Sequence, residues 1–278
     1  MKILGIIPAR YASTRFMGKP LIDIGGKTMI QRVYEQALKA KCLSKMVVAT
    51  DDERIFNHVK SFGGEVIMTA EGHLSGTDRC AEVVIKMNLD EIFTSLDPQK
   101  SIVFDGIKAK RQKTTYDIVV NIQGDEPFID PSQIEKVVEI LMAHPDASGR
   151  GGDFSISTLV KKIDNAELIH NPNVVKCVFS SQNKALYFSR SPIPYLRNTS
   201  VSDWFSKGEF YKHLGLYAYK TSVLKEITLL PPSRLELLES LEQLRWLENG
   251  YDIGVAITDI ETIGIDTPED LQKLNHLI

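Results

Sequence analysis

The sequence has few cysteines and no long apolar run, and both absences narrow the class of protein. Cys42, Cys80 and Cys177 are odd in number and widely spaced, which favours neither a disulfide framework nor a zinc site. No apolar run approaches the roughly 18 residues that a membrane helix needs, and the N-terminus lacks the flanks of a signal peptide. We therefore expect a soluble cytoplasmic protein with no membrane insertion.

An excess of positive charge and two familiar phosphate-binding signatures are also missing. The net charge of −3 argues against a nucleic-acid partner, because nucleic-acid binding usually needs a basic surface. Gly25-Gly26-Lys27-Thr28 resembles the end of a P-loop, but Leu21 stands where that motif requires glycine. Phe154 similarly replaces the last glycine of a dinucleotide fingerprint that would begin at Gly149.

Strand and helix patterns alternate through the first half of the chain. With 278 residues, 43% of them hydrophobic, the chain can bury a substantial core. Apolar, β-branched runs predict buried strands at 3–7, 45–50, 65–69 and 117–122. Helical periods and capping residues predict helices at 28–40, 52–62 and 75–87, and another beginning at Asp130-Pro131. This order predicts an α/β fold with a mostly parallel, Rossmann-like sheet.

The pattern changes twice along the chain. Residues 88–116 break the rhythm and are predicted to form an insertion or extended loop, whose basic run 108–113 is either solvated or a contact for a partner or nucleic acid. Beyond about residue 150 the predicted strands 154–160, 174–179, 185–188 and 214–220 are antiparallel in character, and helices follow at 235–248 and 267–277. We divide the chain into an α/β part at 1–150, an antiparallel part at 151–225 and a return to the α/β part at 226–278.

A cationic loop follows the first strand. It contains Arg10, Arg15 and Lys19, two hydroxyls and a glycine, and it has no acidic residue. Ligands of open α/β sheets bind at the carboxyl ends of the strands, and Arg and Lys both suit phosphate oxygens. The loop therefore predicts a polyphosphate site, with an ordinary surface loop of solvated cations as the alternative.

Two aspartates are candidates for a divalent cation. Asp125 comes just after the strand at 117–122, beside Gly124, where glycine permits a close backbone approach. Mg²⁺ favours one or two carboxylates together with substrate oxygens, so Asp125 facing a cationic loop fits a shared cation. Asp266 is a second candidate, although its place before Thr267-Pro268 also fits a turn or capping residue.

Between these aspartates lie groups suited to an acidic sugar. They are Arg190 after a predicted strand, His213 before another, and Glu242-Gln243 in the predicted helix. A single histidine beside a strand is more often a structural hydrogen-bonding group than a catalyst. The other histidines, including His73, show no metal-ligand spacing.

The sequence resembles the 3-deoxy-manno-octulosonate cytidylyltransferases, also called CMP-Kdo synthetases. The motifs that carry the resemblance occur in the family's order over nearly the whole chain. They are 7–15 with Gly18-Lys19-Pro20, 48–51, Ser75-Gly76-Thr77-Asp78-Arg79, Asn121-Ile122-Gln123-Gly124-Asp125-Glu126-Pro127, 185–190, His213-Leu214-Gly215, 241–245 and Asp266-Thr267-Pro268-Glu269-Asp270.

The resemblance implies a nucleotidyltransferase that moves CMP from CTP to Kdo for lipopolysaccharide biosynthesis, with Mg²⁺ and the release of pyrophosphate. It also implies a homodimer with its contacts and sugar site in the antiparallel part, and the following roles for matching residues. Arg10, Arg15 and Lys19 would hold the triphosphate; Ala9, Ser75, Gly76, Arg79, Gln123 and Asp125 would help to bind the nucleotide; Asp125 and Asp266 would bind Mg²⁺; Arg190, His213, Tyr217, Glu242 and Gln243 would line the sugar site. Catalysis would rest on Arg10, Lys19, Asp125 and Asp266.

Two departures and two alternatives qualify this resemblance. Met17 stands where the family commonly has proline, and the segment 88–116 is longer than the family's usual connection. A cytidylyltransferase for a related acidic sugar, 8-amino Kdo or sialic acid, is one alternative. A non-catalytic nucleotide-binding protein on the same fold is the other.

Overall fold

The computed structural model describes residues 1–12, 16–95, 116–143 and 153–273. Arg15 and most of the predicted insertion at 88–116 therefore lie outside the described residues. Within the described part of the chain, no helix is both long and apolar enough to cross a membrane.

Nine strands of the described residues form a single sheet. They are β1 (Ile3–Ala9), β2 (Lys45–Thr50), β3 (Val66–Met68), β4 (Ile118–Asn121), β5 (Ile156–Lys162), β6 (Lys176–Phe179), β7 (Ala185–Ser189), β8 (Tyr211–Lys220) and β9 (Ile253–Ile257). Their order is β3-β2-β1-β4-β8-β5-β9, with the β6–β7 hairpin attached to β8. The predicted mixture of a parallel sheet and antiparallel strands is confirmed.

Strand direction divides the sheet. Strands β3, β2, β1 and β4 are mutually parallel, as expected of strands that are joined by helical crossovers. Strand β8 runs antiparallel between β4 and β5, and β5 is in turn parallel to β9. The strands that we assigned to 151–225 thus belong to the same sheet as those of 1–150, and the division into three parts stays a prediction.

Ten α-helices are found in the described residues. They are α1 (Met29–Ala37), α2 (Glu53–Ser61), α3 (Gly76–Ser95), α4 (Pro131–Met142), α5 (Ala166–His170), α6 (Trp204–Lys207), α7 (Thr221–Ile227), α8 (Arg234–Glu239), α9 (Gln243–Glu248) and α10 (Pro268–Lys273). The predicted caps are present at the first turns: Thr28, Asp52 and Asp130 accept hydrogen bonds from the backbone N–H groups of Gln31, Arg54 and Ser132.

The sheet separates two hydrophobic cores. Helices α1, α2 and α4 cover one face with residues such as Val33, Val59 and Val137, which are fully buried. Helices α3, α7 and α9 cover the other face, where Leu224 and Leu244 are equally buried. Helices therefore lie on both faces of the sheet, as the alternation of strands and helices predicts.

Two predicted helix boundaries are wrong. Helix α3 continues past residue 87 to Ser95, so the predicted insertion begins as helix. The helix predicted at 235–248 is interrupted at Ser240, whose φ of 51° is left-handed and ends α8 before α9 begins. The helix predicted at 267–277 begins at Pro268, and its last described turn ends at Lys273.

Candidate active site

A cleft of about 360 Å³ opens at the carboxyl ends of β1 and β4. Strands β2 and β3 extend the sheet on one side of β1, whereas β4 lies on the other, so the connections change direction between β1 and β4. Open α/β sheets bind ligands at such a reversal. The cleft is lined by Pro8, Ala9, Arg10, Lys19, Pro20, His73, Leu74, Ser75, Gly76, Thr77, Arg79, Asn121, Gln123, Gly124, Asp125, Tyr217, Glu242 and Asp266.

Lys19 joins the two aspartates that we predicted as cation ligands. Its Nζ lies 2.7 Å from Oδ2 of Asp125 and 3.1 Å from Oδ1 of Asp266. The lysine side chain is 14% exposed, and the two aspartate side chains are 29% and 46% exposed. Two carboxylates thus converge on one small cationic group, with an excess of one negative charge.

Backbone contacts fix these side chains in place. The N–H of Ile265 donates to the carbonyl of Asp125 at 2.9 Å, which ties the segment carrying Asp266 to the end of β4. The backbone N–H groups of Asp266 and Thr267 donate to Oδ2 of Asp270 at 3.1 and 3.0 Å. The aspartate pair is therefore built from two distant segments that the fold fastens together.

Gly124 is required by a close approach of two strand ends. A Cβ atom at this position would lie 2.9 Å from the backbone oxygen of Pro8, closer than real Cβ contacts come. The glycine therefore lets the residues after β4 pack directly against the end of β1. This packing places Asp125 beside the loop that carries Arg10 and Lys19.

The wall opposite this loop is the start of α3. Ser75 and Asp78 cap the helix reciprocally, with two backbone-to-side-chain hydrogen bonds of 3.1 Å. Arg79 lies in the lining but is only 4% exposed, because its Nη2 pairs with Asp51 at 2.7 Å and its Nη1 contacts the hydroxyl of Thr69. Arg79 can therefore shape the wall, whereas its guanidinium is already engaged by protein groups.

Polar groups of β8 and of the α8–α9 corner close the far end of the cleft. Gln123 donates from Nε2 to the carbonyl of Gly215 at 2.7 Å. Glu242 accepts a hydrogen bond of 2.9 Å from the hydroxyl of Thr77, and burial raises the pKa of its carboxyl above the usual value. The Tyr217 ring packs edge-on against Trp246, with 5.2 Å between the ring centroids.

Comparison with known proteins identifies the family. The cytidylyltransferase family profile matches residues 4–253. A 3-deoxy-manno-octulosonate cytidylyltransferase of Parabacteroides distasonis is 53% identical over 277 residues, which are 98% of this chain and 96% of that protein. One of Bacteroides thetaiotaomicron is also 53% identical, over 100% of this chain and 98% of that protein. The chain belongs to the 3-deoxy-manno-octulosonate cytidylyltransferase family.

A solved structure supports the same assignment. CMP:2-keto-3-deoxy-manno-octonic acid synthetase complexed with CTP is 39% identical to this chain, with a TM-score of 0.81. The match covers 100% of this chain and 98% of that one. The resemblance inferred from the sequence motifs is confirmed, and so is the expected nucleotidyltransferase fold.

Most residues that we predicted for a cytidylyltransferase site line the cleft. Those brought together there are Ala9, Arg10, Lys19, Ser75, Gly76, Arg79, Gln123, Asp125, Tyr217, Glu242 and Asp266. Arg15 lies outside the described residues, and its role stays a prediction.

Three residues that we predicted for the sugar site of the family do not line the cleft. The Arg190 guanidinium donates to the backbone oxygens of Pro172, Glu239 and Ser240, at 3.0, 2.7 and 3.3 Å. Arg190 thereby holds the left-handed corner that precedes Glu242. The sugar-binding role of Arg190 stays a prediction.

His213 and Gln243 are the other two. The Nε2 of His213 lies 2.9 Å from the hydroxyl of Thr158, and burial lowers the pKa of the imidazole to about 3. This is the structural hydrogen bonding that a histidine beside a strand most often performs. Gln243 is 6% exposed in the first turn of α9. Their sugar-binding roles also stay predictions.

Several lining residues were missed by sequence reasoning. Thr77 and Asn121 were part of the motifs that carried the resemblance but were assigned no role of their own. His73 and Leu74 directly precede the Ser75-Gly76 motif. Their nearness to that motif was the available signal for them.

Proposed function

We propose that the protein transfers CMP from CTP to 3-deoxy-manno-octulosonate, Kdo, and releases pyrophosphate. A Kdo hydroxyl attacks the α-phosphorus of CTP, and the bond between the α-phosphorus and the bridging oxygen to the β-phosphate breaks. The observation that carries the proposal is the convergence of Lys19, Asp125 and Asp266 in a cleft at the strand reversal. The similarity to a synthetase whose structure holds CTP supports the choice of nucleotide.

Arg10 and Lys19 are the groups that we assign to the triphosphate. Both lie in the cleft lining on the segment after β1, and Arg10 is exposed and can turn toward a ligand. A guanidinium can bind two phosphate oxygens at once, whereas an ammonium acts as a point charge. Placed here, they would offset the negative charge that develops on the departing pyrophosphate. The predicted role of Arg15 belongs to the same part of the proposal.

Glu242 and Tyr217 are the groups that we assign to the sugar. Glu242 is held by Thr77 and offers carboxyl oxygens to hydroxyl donors. Tyr217 is only 7% exposed but remains part of the lining. The hydrogen bond to Thr77 places Glu242 beside the start of α3, where Ser75 and Gly76 would help to place the nucleotide. The sugar and the α-phosphate would thus be oriented for in-line attack.

The two aspartates fit a magnesium ion. They supply hard oxygen ligands that converge within 2.7 and 3.1 Å of one lysine nitrogen. No group of three or more His, Cys, Asp or Glu side chains in the described part of the chain could hold a metal by itself. The remaining ligands would therefore be substrate oxygens and water, the arrangement that Mg²⁺ commonly takes with phosphates. A bound Mg²⁺ would neutralise part of the negative charge of the triphosphate.

We also propose that the protein acts as a homodimer. Large apolar side chains are exposed on the part of the chain that we predicted for dimer contacts: Leu186 by 58%, Tyr195 by 74% and Val201 by 59%. A second copy is the partner that would cover them, and sedimentation analysis would detect the dimer.

A cytoplasmic location and a place in lipopolysaccharide biosynthesis complete the proposal, and cell fractionation would test the location.

Pyrophosphate release is the deciding experiment. We expect release that requires CTP, Kdo and Mg²⁺ together, with UTP in place of CTP and sialic acid or 8-amino Kdo in place of Kdo as parallel reactions. Pyrophosphate release with another acidic sugar but not with Kdo would contradict the assignment of Kdo as the substrate. No release with any pair would contradict the enzymatic function and favour the non-catalytic alternative.

Matched variants connect the activity to the cleft. Asp125→Asn and Asp266→Asn should each lower turnover by about 100-fold or more, because each removes a charged oxygen ligand. Asp130→Asn is the control, since Asp130 caps α4 and asparagine caps equally well. Full turnover by Asp266→Asn at saturating Mg²⁺ would contradict its assignment as a metal ligand.

A further inference from the structure

His73 is a cleft residue that the assignments above leave without a role. It lies in the lining beside Leu74 and Ser75, and its side chain is 19% exposed. Its Nε2 contacts a carboxyl oxygen of Glu82, which lies in the second turn of α3. His73 is the only histidine among the described residues that line the cleft.

The carboxylate of Glu82 is itself firmly held. Its Oε2 accepts the backbone N–H of Ala70 at 2.9 Å, and its Oε1 lies 2.8 Å from the ammonium of Lys86. Lys86 is anchored in turn by a hydrogen bond of 2.7 Å to the carbonyl of Met68. Burial works against ionisation, but the hydrogen bonds from Lys86, His73 and Ala70 outweigh it and lower the pKa of Glu82 to about 2.

This arrangement fixes how the His73 ring is presented. An ionised carboxylate can only accept hydrogen bonds, so Nε2 of His73 carries a hydrogen atom and the ring orientation is set. The other ring nitrogen, Nδ1, hydrogen-bonds to no other residue in the part of the chain that the structure describes. A ring held through one nitrogen, with the second nitrogen available at a cleft wall, is arranged to meet a ligand.

Two other partly buried histidines, His58 and His213, do not present a ring nitrogen in this way. Nε2 of His58 lies 2.7 Å from the Thr28 hydroxyl, and its ring packs against Phe62 away from the cleft lining. His213 is bonded to Thr158. Among the histidines that the structure describes, only His73 therefore combines a carboxylate partner with a place in the lining.

We propose that His73 is a further nucleotide-binding residue, hydrogen-bonding CTP through Nδ1, and that Glu82 is the positioning residue for its ring. The inference rests on the proposed function, because it takes CTP as the ligand. The ring lies in the lining beside Ser75 and Gly76, which we assign to the nucleotide. His73 thus adds a side chain with an available ring nitrogen to a wall in which the Arg79 guanidinium is already engaged by Asp51 and Thr69.

Calorimetric titration with CTP and Mg²⁺, without sugar, tests the proposal while no turnover occurs. His73→Ala should weaken CTP binding by up to about tenfold, the range for a hydrogen bond that Nδ1 accepts from an N–H or O–H group of the ligand. Glu82→Gln should weaken it several-fold. The double variant should bind no more weakly than His73→Ala, because Glu82 acts through His73. His58→Ala is the matched control and should bind CTP as the unchanged protein does.

The outcomes separate this inference from the proposed function. CTP binding by His73→Ala within twofold of the unchanged protein would overturn the role of His73. Additive losses in the double variant would overturn the positioning role of Glu82. A thermal transition measured for each variant identifies losses that come from unfolding, and Glu82→Asp then serves as the milder second variant. Failure of the proposed function would instead appear as no CTP binding by the unchanged protein.

Discussion

Replacing Lys19 by methionine should have opposite effects on metal binding and on nucleotide binding. In the free protein the Lys19 ammonium contacts the same two carboxylates that we assign to Mg²⁺. Metal and ammonium therefore compete for the same oxygens. Methionine has a similar length and no charge, so Lys19→Met should bind a divalent cation more tightly when no nucleotide is present.

The size of this effect follows from the geometry. Two unit charges at about 4 Å interact by about 1 kcal/mol in water and about 4 kcal/mol near a protein surface. The carboxylates are 29% and 46% exposed, which places the interaction toward the lower value. A net competition of about 1.4 kcal/mol corresponds to a tenfold change in affinity. We therefore expect Lys19→Met to bind Mn²⁺ about tenfold more tightly.

Electron paramagnetic resonance of free Mn²⁺ measures this affinity directly. Lys27→Met is the control, because Lys27 pairs with Glu35 outside the cleft lining at 2.5 Å. In the same variant, CTP binding should weaken about tenfold, since a phosphate contact is lost. Mn²⁺ affinity that is unchanged or lower in Lys19→Met would refute the reasoning that the lysine occupies the metal position.

Three further changes test the fold around the site. Burial lowers the pKa of His213 from 6.5 to about 3, so between these values the unfolded chain binds one proton more and stability falls as pH drops below about 6.5. In urea unfolding, His213→Gln should therefore lose less unfolding free energy between pH 7 and pH 5 than the unchanged protein does. An equal loss in both proteins would contradict the assignment. Gly124→Ala should cost about 1–3 kcal/mol of unfolding free energy and weaken CTP binding, because its Cβ would meet the Pro8 carbonyl. Gly72→Ala is the control: open space surrounds Gly72, so the unfolding free energy should not change. Ser240→Val should be about 1–2 kcal/mol less stable than Ser240→Gly in urea, because φ is 51°, and equal stabilities would argue against a left-handed corner.

Local chemistry explains why much of the site could be predicted from sequence. The apolar strand at 118–121 and the residues after it place Asp125 at a strand end, and the cationic loop places Lys19 at a neighbouring one. Parallel strands bring their carboxyl ends to one edge, so the two side chains had to be close. Capping residues such as Asp52 and Asp130 act on the helix that follows them, and they too could be recognised without tertiary information.

Other features depend on contacts between remote segments. The antiparallel position of β8 between β4 and β5 follows from pairing of residues about 50 to 100 positions apart, for which a single sequence carries no local signal. The break at Ser240 lies within an uninterrupted helical pattern and is held by Arg190 from β7's end. The contact with Glu82 near the start of α3 orients the His73 ring in the cleft wall. The spacing between histidines in the sequence could not predict this contact.

The two carboxylates that contact Lys19 are synthesised at very different times. Asp125 follows Lys19 by 106 positions, and Asp266 follows it by 247. A chain still growing on the ribosome can form the parallel strands and pair Lys19 with one carboxylate long before the second exists. The hydrogen bond from Ile265 to Asp125 fastens the segment that carries Asp266, which is made later, to the residues after β4. The pair of carboxylates around Lys19 is therefore complete only once the segment that carries Asp266 is present.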